Sequence, residues 1–295
     1  MWQQIANVIC ERHQISCNTL ERAPQGENVI FFVDDRFVIK IFTSPRDEFA
    51  REKAALEFAD GRFGIDIPKL THTGEIEGVS YILMTRLAGV PAKDVWGSLG
   101  SPERAEIVSQ LGVALKGLHS HPAPLTEPAL NRGWEEFLLR QAQTSVERQT
   151  ACGVNPEWLE SLPAYIAARF QLLRQDEPVM LHGDIHFGNM LLSQQGGHWR
   201  ISGLFDFSDS MCGFHEYDFV APGVLMVQGN RELQRILLSA YGYPETQLDS
   251  DLRARLMLLT VLYECSDLRK YALRLNPDAV NLTLDELERA IWSFA

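Results

Sequence analysis

The sequence lacks the clustered lysine and arginine residues that binding to nucleic acid requires. It contains 27 Lys and Arg residues against 39 Asp and Glu residues, which gives a formal net charge of −12. A protein that holds a phosphate backbone does so with grouped cationic side chains. The charge balance therefore argues against nucleic acid as a partner, whereas it is compatible with a cationic small molecule.

Long apolar runs and paired cysteines are also missing. No stretch approaches the ~18 apolar residues of a membrane span, and no basic segment followed by an apolar run opens the chain as in a secretory signal. The five cysteines are far apart and include no Cys-x-x-Cys pair; they are Cys10, Cys17, Cys152, Cys212 and Cys265. These absences predict a cytoplasmic protein with no membrane partner and no zinc site, and with reduced, mostly buried thiols.

The pattern of apolar residues divides the chain into two parts. Strand-like runs cover residues 19–22, 28–33, 36–42, 69–74 and 79–84, with one inserted helix that we expect to begin with Ser44 as N-cap and Pro45 at its first position. Residues 85–91 break the pattern. The chain therefore predicts an α+β fold with a small antiparallel-sheet lobe over residues 1–84, a hinge over 85–91 and a larger, mainly helical lobe over 92–295.

Helical periodicity and capping residues predict the elements of the second lobe. Helices are expected at 101–121, 134–148, 217–227, 231–241 and 252–273. Pro156 and Pro163 suggest two separate helix starts. Thr283 and Glu286 have the spacing of a capping box and predict the last helix.

Residues 182–206 carry the strongest chemical signal. The segment begins His182-Gly183-Asp184-Ile185-His186-Phe187-Gly188-Asn189. An apolar run, the turn Gly196-Gly197, a second apolar run and then Asp206 follow. If the two runs pair as a hairpin, Asn189 and Asp206 approach Asp184. An amide oxygen and a carboxylate suit Mg²⁺ that carries nucleotide phosphates, and Asp184 would remain to orient a hydroxyl group.

A lysine in the first lobe fits the same chemistry. Lys40 lies in the apolar run of residues 37–42, so we expect its ammonium group to have a partner. Glu52 on the following helix is the candidate, although Glu48 and Glu57 lie on the same helix. Such a pair would position Lys40 for contact with phosphates. The alternative is a lysine at the sheet edge that reaches water.

The loop of residues 24–28 could cover a nucleotide with backbone N–H groups. Gly26 and Asn28 are the candidate contacts. The loop has no Gly-x-Gly-x-x-Gly pattern, and an ordinary hairpin loop is an equal alternative.

The arrangement His-Gly-Asp-(x)4-Asn with a later Asp resembles the aminoglycoside phosphotransferase and choline kinase superfamily. Residues 81–91 resemble the hinge of that family, and residues 115–121 resemble its helix that ends in Leu-His. Residues 206–209, with Gly213 and Asp218 after them, resemble the family's block Asp-Trp-Glu and Gly-Asp-Pro-x-x-Asp. Two departures are Phe207 in place of Trp, and Phe214-His215 where the family often has Asp-Pro. The protein-kinase patterns His-Arg-Asp, Asp-Phe-Gly and Ala-Pro-Glu are missing, which disfavours protein substrates.

The resemblance implies a protein-kinase-like bilobal fold and transfer of a nucleotide γ-phosphate to a small-molecule hydroxyl. By position, Asp184 would be the catalytic carboxylate, Asn189 and Asp206 would bind magnesium, and Lys40 would contact the α- and β-phosphates. The cofactors implied are ATP, with GTP not excluded, and Mg²⁺.

Further residues receive supporting roles from the same resemblance. Met84, Thr85 and Leu87 would meet the nucleotide base through main-chain groups. His182 would brace the catalytic loop, and Asp218 would accept hydrogen bonds from the loop backbone.

The acceptor is the least specified part of the site. Aminoglycosides are polycations, and carboxylates around the acceptor pocket would bind them. The candidates are Asp209, Glu216, Glu264 and Asp267, of which the last two are expected on one helix face. A solvated acidic face is the alternative for this last pair. An aminoglycoside-type acceptor is favoured over choline, homoserine, a sugar or a similar alcohol, and over a nucleotide-binding regulatory pseudokinase. The oligomeric state is left open between monomer and homodimer.

Overall fold

A computed structural model describes residues 1–24, 26–44, 47–173 and 176–295. The β-strands of these residues are β1 (Leu20–Arg22), β2 (Val29–Val33), β3 (Phe37–Ile41), β4 (Leu70–Ile76), β5 (Val79–Thr85), β6 (Val90–Pro91), β7 (Val179–Leu181), β8 (Met190–Gln195), β9 (His198–Leu204) and β10 (Met211–Gly213). The α-helices are α1 (Trp2–Arg12), α2 (Glu48–Ala59), α3 (Ala92–Val95), α4 (Ser101–His119), α5 (Trp134–Gln143), α6 (Ser145–Ala151), α7 (Pro156–Phe170), α8 (Val220–Leu225), α9 (Arg231–Tyr241), α10 (Ser250–Leu262), α11 (Leu268–Leu275) and α12 (Leu284–Ile291). No helix in these four segments is long and apolar enough to cross a bilayer.

The first five strands form one antiparallel sheet in the order β1-β2-β3-β5-β4. Successive side chains of a strand point to opposite faces, and this sheet buries both of them. Tyr81 and Leu83 pack with α1 on one face, whereas Ile82 and Met84 of the same strand join the larger core on the other face. Because β3 is the central strand, Lys40 lies between Ile30 and Ile82 on its two neighbours.

The second part of the chain is mainly helical around two small β-ladders. β6, β8 and β9 form one, and β7 pairs with β10 to form the other. α4 packs against α9 at a point where a side chain at Gly112 would lie 2.5 Å from the carbonyl oxygen of Leu237, so only glycine fits this crossing. The larger hydrophobic core includes residues from α2 and from the helical part, which joins the two lobes. The predicted α+β class, with its antiparallel-sheet lobe and helical lobe, is confirmed.

Several predicted element boundaries are wrong. The helix after β3 begins at Glu48 with Asp47 at the N-cap position rather than at Ser44, and Pro45 lies outside the described residues. The helix predicted over 134–148 is divided at Thr144 into α5 and α6. Pro163 lies inside α7 and does not start a helix, because the buried side chains of Trp158 and other residues hold both halves of α7 in the core.

The most consequential difference is in the helix predicted over 252–273. α10 ends at Leu262, and Tyr263 takes an extended backbone conformation (φ −60°, ψ 137°). Residues 263–267 therefore form a turn between α10 and α11. The expectation of mostly buried thiols is also wrong, because Cys17 and Cys265 are exposed and Cys152 is half-buried.

Candidate active site

The predicted hairpin is present and brings the two ends of the signature segment together. β8 pairs with β9 through the turn at Gly196 and Gly197, both of which have positive φ. Just beyond the ladder, the N–H of Phe205 donates to the carbonyl oxygen of Asn189 at 3.0 Å. This bond fixes Asp206, the next residue, beside Asn189.

The Asp184 carboxylate receives hydrogen bonds on both oxygens. The Tyr263 hydroxyl donates to Oδ1 at 2.7 Å, and Nδ2 of Asn189 donates to Oδ2 at 3.0 Å. His186 Nε2 lies 3.3 Å from the same Oδ2. Burial alone would raise the pKa of Asp184, but the hydrogen bonds from His186 and Tyr263 lower it below the ordinary value. The carboxylate is therefore ionised at neutral pH.

Asn189 and Asp206 each have one side-chain oxygen that forms no hydrogen bond within the described residues. Nδ2 of Asn189 donates both to the backbone oxygen and to Oδ2 of Asp184, which fixes the amide orientation. Oδ1 of Asp206 accepts from Lys40 and from Ser208. Among the described residues, Oδ1 of Asn189 and Oδ2 of Asp206 have no hydrogen-bond partner. Asp206 also has a positive φ of 66°, an uncommon conformation for a non-glycine residue.

Lys40 lies between two carboxylates. Its Nζ is 2.5 Å from Oε2 of Glu52 and 2.8 Å from Oδ1 of Asp206. Burial alone would lower the pKa of Lys40, but the two carboxylates raise it, so the ammonium group remains charged. Burial would likewise raise the pKa of Asp206, yet Lys40 and Ser208 hold it at about 2. The pairing thus keeps one fixed positive charge beside the candidate metal ligand.

Asp218 connects the loop at His182 and Gly183 to the helical core. Its carboxylate accepts from the backbone N–H groups of His182 and Gly183 at 2.8 and 2.7 Å, and it lies 3.1 Å from Nε2 of His119 at the end of α4. His182 is fully buried, and its ring packs on Phe207 with centroids 4.4 Å apart. Burial lowers the pKa of His182, so its imidazole is neutral and supports the loop by packing.

The candidate base-binding segment has fewer open main-chain groups than expected. The N–H of Thr85 donates to the carbonyl oxygen of Lys69, and the Thr85 hydroxyl accepts from the N–H of Lys69. Met84 is buried in the larger core. Within the described residues, the N–H of Leu87 has no partner and remains available.

The loop before β2 is held by the side chain of Asn28. Its Nδ2 donates to Glu48 at 2.7 Å, and its Oδ1 accepts from the N–H of Thr43 at 3.1 Å. The Asn28 side chain therefore fastens the loop, and its amide is engaged within the protein. Gly26 takes a positive φ of 148°, which glycine tolerates.

On the other side of Asp184, an acidic residue meets a cation from the first lobe. Oδ1 of Asp209 lies 3.8 Å from Nη1 of Arg51, which stands next to Glu52 on α2. Burial, together with the charges of Asp184, Asp206 and Glu264, raises the pKa of Asp209 to about 6. Asp209 therefore changes its charge close to neutral pH.

Comparison with known proteins assigns the chain to a family. A sequence model of the phosphotransferase enzyme family matches residues 19–255. The chain belongs to this family. The prediction of a phosphotransferase of the aminoglycoside phosphotransferase and choline kinase superfamily is thereby confirmed.

Solved structures of phosphotransferases share the fold over nearly the whole chain. The GDP complex of aminoglycoside 2'-phosphotransferase-IIIa has 18% sequence identity and a TM-score of 0.67, with 99% of this chain and 98% of that chain covered. The streptomycin-ATP-APH(2")-IIa ternary complex has 16% identity and a TM-score of 0.66, with 96% and 97% covered. APH(3'')-Id from Streptomyces rimosus with ADP and streptomycin has 19% identity and a TM-score of 0.57, with 89% and 99% covered. The predicted protein-kinase-like bilobal fold is confirmed by these likenesses.

Within this phosphotransferase fold, Glu216 does not face the acceptor side. Its carboxylate is buried and binds the guanidinium of Arg255 with contacts of 2.8 and 3.0 Å, and it also accepts from the Tyr243 hydroxyl at 2.9 Å. Assigning Glu216 to the acceptor pocket is therefore wrong. From the sequence alone, an acid in a buried ion pair cannot be distinguished from an acid that lines a pocket.

The expectation for Glu264 and Asp267 is also wrong, because they do not share a helix face. Both lie in the turn between α10 and α11. The Asp267 carboxylate accepts from the N–H of Lys270 at 2.8 Å and caps α11, so its role is structural. Glu264 is half-exposed and close enough to Asp209 to contribute to its raised pKa, so it remains a candidate.

Three residues of the phosphotransferase site were missed by the sequence analysis. His186 lies within the signature segment, two residues after Asp184, and this spacing was a usable signal. Arg51 is adjacent to Glu52 and could have been considered with it. Tyr263 lies 79 residues from Asp184, and no local pattern indicates that the two side chains meet.

Proposed function

We propose that this protein transfers the γ-phosphate of ATP or GTP to a hydroxyl group of a small molecule, with Mg²⁺ as cofactor. The observation that carries the proposal is the convergence of Lys40, Asn189 and Asp206 next to the Asp184 carboxylate. A fixed cation, two outward oxygens and a separate carboxylate are the parts that phosphoryl transfer between a nucleotide and a hydroxyl requires.

The oxygens of Asn189 and Asp206 fit magnesium. Mg²⁺ prefers oxygen ligands and is commonly held by one or two protein groups, with phosphate oxygens and water completing its shell. No group of three His, Cys, Asp or Glu side chains in the described segments could hold a metal ion, and this type of site does not need one. When bound, the ion would neutralise charge on the phosphates.

Lys40 would contact the nucleotide phosphates. Its ammonium is held by Glu52 from α2 and by Asp206 from the segment after β9, so its position depends on both lobes. The backbone of the loop around Gly26 would cover the phosphates, and the free N–H of Leu87 would meet the base. The related structures hold GDP, ATP and ADP, which supports a nucleotide ligand and leaves the base open.

Asp184 would orient the acceptor hydroxyl and accept its proton. As the acceptor oxygen forms its bond to the γ-phosphorus, the bond from that phosphorus to the bridging oxygen breaks, and the nucleoside diphosphate leaves with the electron pair. The lowered pKa of Asp184 keeps the carboxylate ionised and ready for this role.

An aminoglycoside-type acceptor is the favoured substrate class. Asp209 and Glu264 place negative charge beside Asp184, which suits the ammonium groups of such a molecule. Two of the related structures contain streptomycin, in line with this class.

A metabolic kinase is the second candidate. Burial lowers the pKa of Arg51, and the charge of Arg132 lowers it further, so a second cation acts on Arg51 in addition to the carboxylate of Asp209. A hydroxyl compound that also carries a carboxylate, such as a hydroxy amino acid, would suit these two cations.

The test is phosphate transfer by the purified protein from ATP or GTP to a panel of aminoglycosides, choline, homoserine and sugars. We expect magnesium-dependent transfer of phosphate to one class of these acceptors. Asp184→Asn should lower kcat by about 10²–10⁴-fold while leaving nucleotide affinity intact, because the acceptor hydroxyl loses the carboxylate that accepts its proton. Asp206→Asn should instead weaken the response to magnesium. Full turnover by Asp184→Asn would refute the assignment.

A further inference from the structure

We propose that Tyr263 is a positioning residue of the transfer reaction, which holds Oδ1 of Asp184 so that this oxygen accepts the proton of the acceptor hydroxyl. The inference rests on the proposed function, since it requires Asp184 to be the reacting carboxylate. Tyr263 is buried and donates to Oδ1 at 2.7 Å, the distance of a strong hydrogen bond to an ionised acceptor.

The hydrogen bonds around Asp184 identify the oxygen that can react. The N–H of Gly188 donates to Nδ1 of His186 at 2.8 Å, so in the neutral ring the proton lies on Nε2, which is 3.3 Å from Oδ2 of Asp184. Oδ2 thus has Nδ2 of Asn189 as a hydrogen-bond donor and Nε2 of His186 close by. Oδ1 has one donor, Tyr263, and one lone pair left. The acceptor hydroxyl would therefore donate to Oδ1.

The Tyr263 hydroxyl is held in place by its surroundings. Its ring packs on Tyr217 with centroids 5.5 Å apart, and the N–H of the next residue, Glu264, donates to the Tyr217 hydroxyl at 3.2 Å. Tyr271 on α11 donates to the carbonyl oxygen of Cys265 at 3.3 Å. These contacts, with the hydrogen bonds from Gln149 to Ser266, fasten the turn that carries Tyr263, and a fixed donor orients a carboxylate better than water does.

Tyr263 acts as a donor and not as a second base. Burial, together with the charge of Asp184, raises its pKa well above the ordinary value, so the hydroxyl keeps its proton across the working pH range. Tyr263 also lies beyond residues 19–255, the part of the chain that the family model matches. The turn between α10 and α11, outside the matched part, would therefore contribute directly to the reacting centre.

The experiment compares Tyr263→Phe with Tyr271→Phe, using the acceptor found for the wild-type enzyme. Tyr271→Phe removes a hydroxyl on α11 that bonds to the same turn and does not touch Asp184, which makes it the matched control. We expect Tyr263→Phe to lower kcat by about tenfold, since small errors in the position of reacting groups cost up to about 10²-fold. KM for nucleotide and for acceptor should stay unchanged.

The split between kcat and KM distinguishes positioning from general support. A hydroxyl that only orients Asp184 acts on the chemical step, so Tyr263→Phe should lower kcat with both KM values unchanged, and Tyr271→Phe should keep the wild-type kcat. Wild-type kcat in Tyr263→Phe would overturn the inference. An equal loss of kcat in both variants would overturn it as well. Full turnover by Asp184→Asn would refute the proposed function instead, so the two failures can be told apart.

Discussion

Asp209 is the residue whose change of charge would make acceptor binding depend on pH. Its carboxylate lies opposite Arg51 and has a pKa of about 6, raised first by burial and then by Asp184 and its other acidic neighbours. Placing a cation in the cleft would favour the ionised form. The residue is thus suited to distinguish cationic acceptors from neutral ones.

We predict that KM for a cationic acceptor increases as the pH falls through about 6, because protonation removes the negative charge of Asp209. Well below that pH, the increase should approach about tenfold per pH unit if binding requires the ionised form. Steady-state kinetics from about pH 5 to about pH 8, roughly the range over which this carboxyl group titrates, would measure the change in KM. Asp209→Asn is the control and should have a high KM that no longer changes over this range. An unchanged pH dependence in that variant would show that another group is responsible.

At the scale of elements, the connection from β5 to β6 is packed tightly on the β8–β9 hairpin. Gly89 has a φ of +138°, and a Cβ there would lie 2.8 Å from the carbonyl oxygen of Leu192. The Ser202 hydroxyl donates to the carbonyl oxygen of Ala88 at 2.8 Å. The segment that joins the lobes is therefore fixed to the hairpin that carries Asn189 and leads to Asp206.

We predict that Gly89→Ala lowers the free energy of unfolding by about 1–3 kcal/mol, because alanine at this φ is strained and its methyl group collides with backbone. Urea denaturation would measure the change. Gly97→Ala is the control, since nothing lies within 4 Å of a Cβ at Gly97. Equal stability of the two variants would show that the connection can shift away from the hairpin without cost.

At the scale of the whole molecule, a buried ion pair connects the segment after β10 with α10. Glu216 and Arg255 have side chains that are 1% and 5% exposed, and their closest contact is 2.8 Å. This pair anchors α10, the helix that ends immediately before Tyr263. Its contribution to activity is therefore indirect, through the placement of the C-terminal helices.

We predict that Glu216→Gln destabilises the protein by about 3–5 kcal/mol, because the charge of Arg255 would remain buried without a counter-charge. Glu245→Gln is the matched control, since Glu245 pairs with Arg235 at an exposed position where such a pair is worth about 1 kcal/mol or less. Thermal unfolding of both variants gives the comparison. A change in acceptor KM for Glu216→Gln without a loss of stability would return Glu216 to the acceptor site.

The sequence by itself determined the elements whose signals are local. All five strand segments predicted for the first lobe form strands of one antiparallel sheet, and Thr283 with Glu286 forms the predicted capping box of α12. The hairpin through Gly196-Gly197 brought Asn189 and Asp206 together as expected, because the register of a hairpin is set by its turn. These features depend on periodicity and on spacing over a few residues.

Only the tertiary structure decided which side chains share an environment. Lys40 and Asp206 meet across 166 positions and Tyr263 and Asp184 across 79, and no local pattern encodes such distances. Glu216 and Asp209 are both acids that closely follow the signature, yet Glu216 is buried against Arg255 and Asp209 is partly exposed beside Arg51. The difference arises from packing between distant elements, since burial and counter-charges belong to the assembled fold and not to the residue.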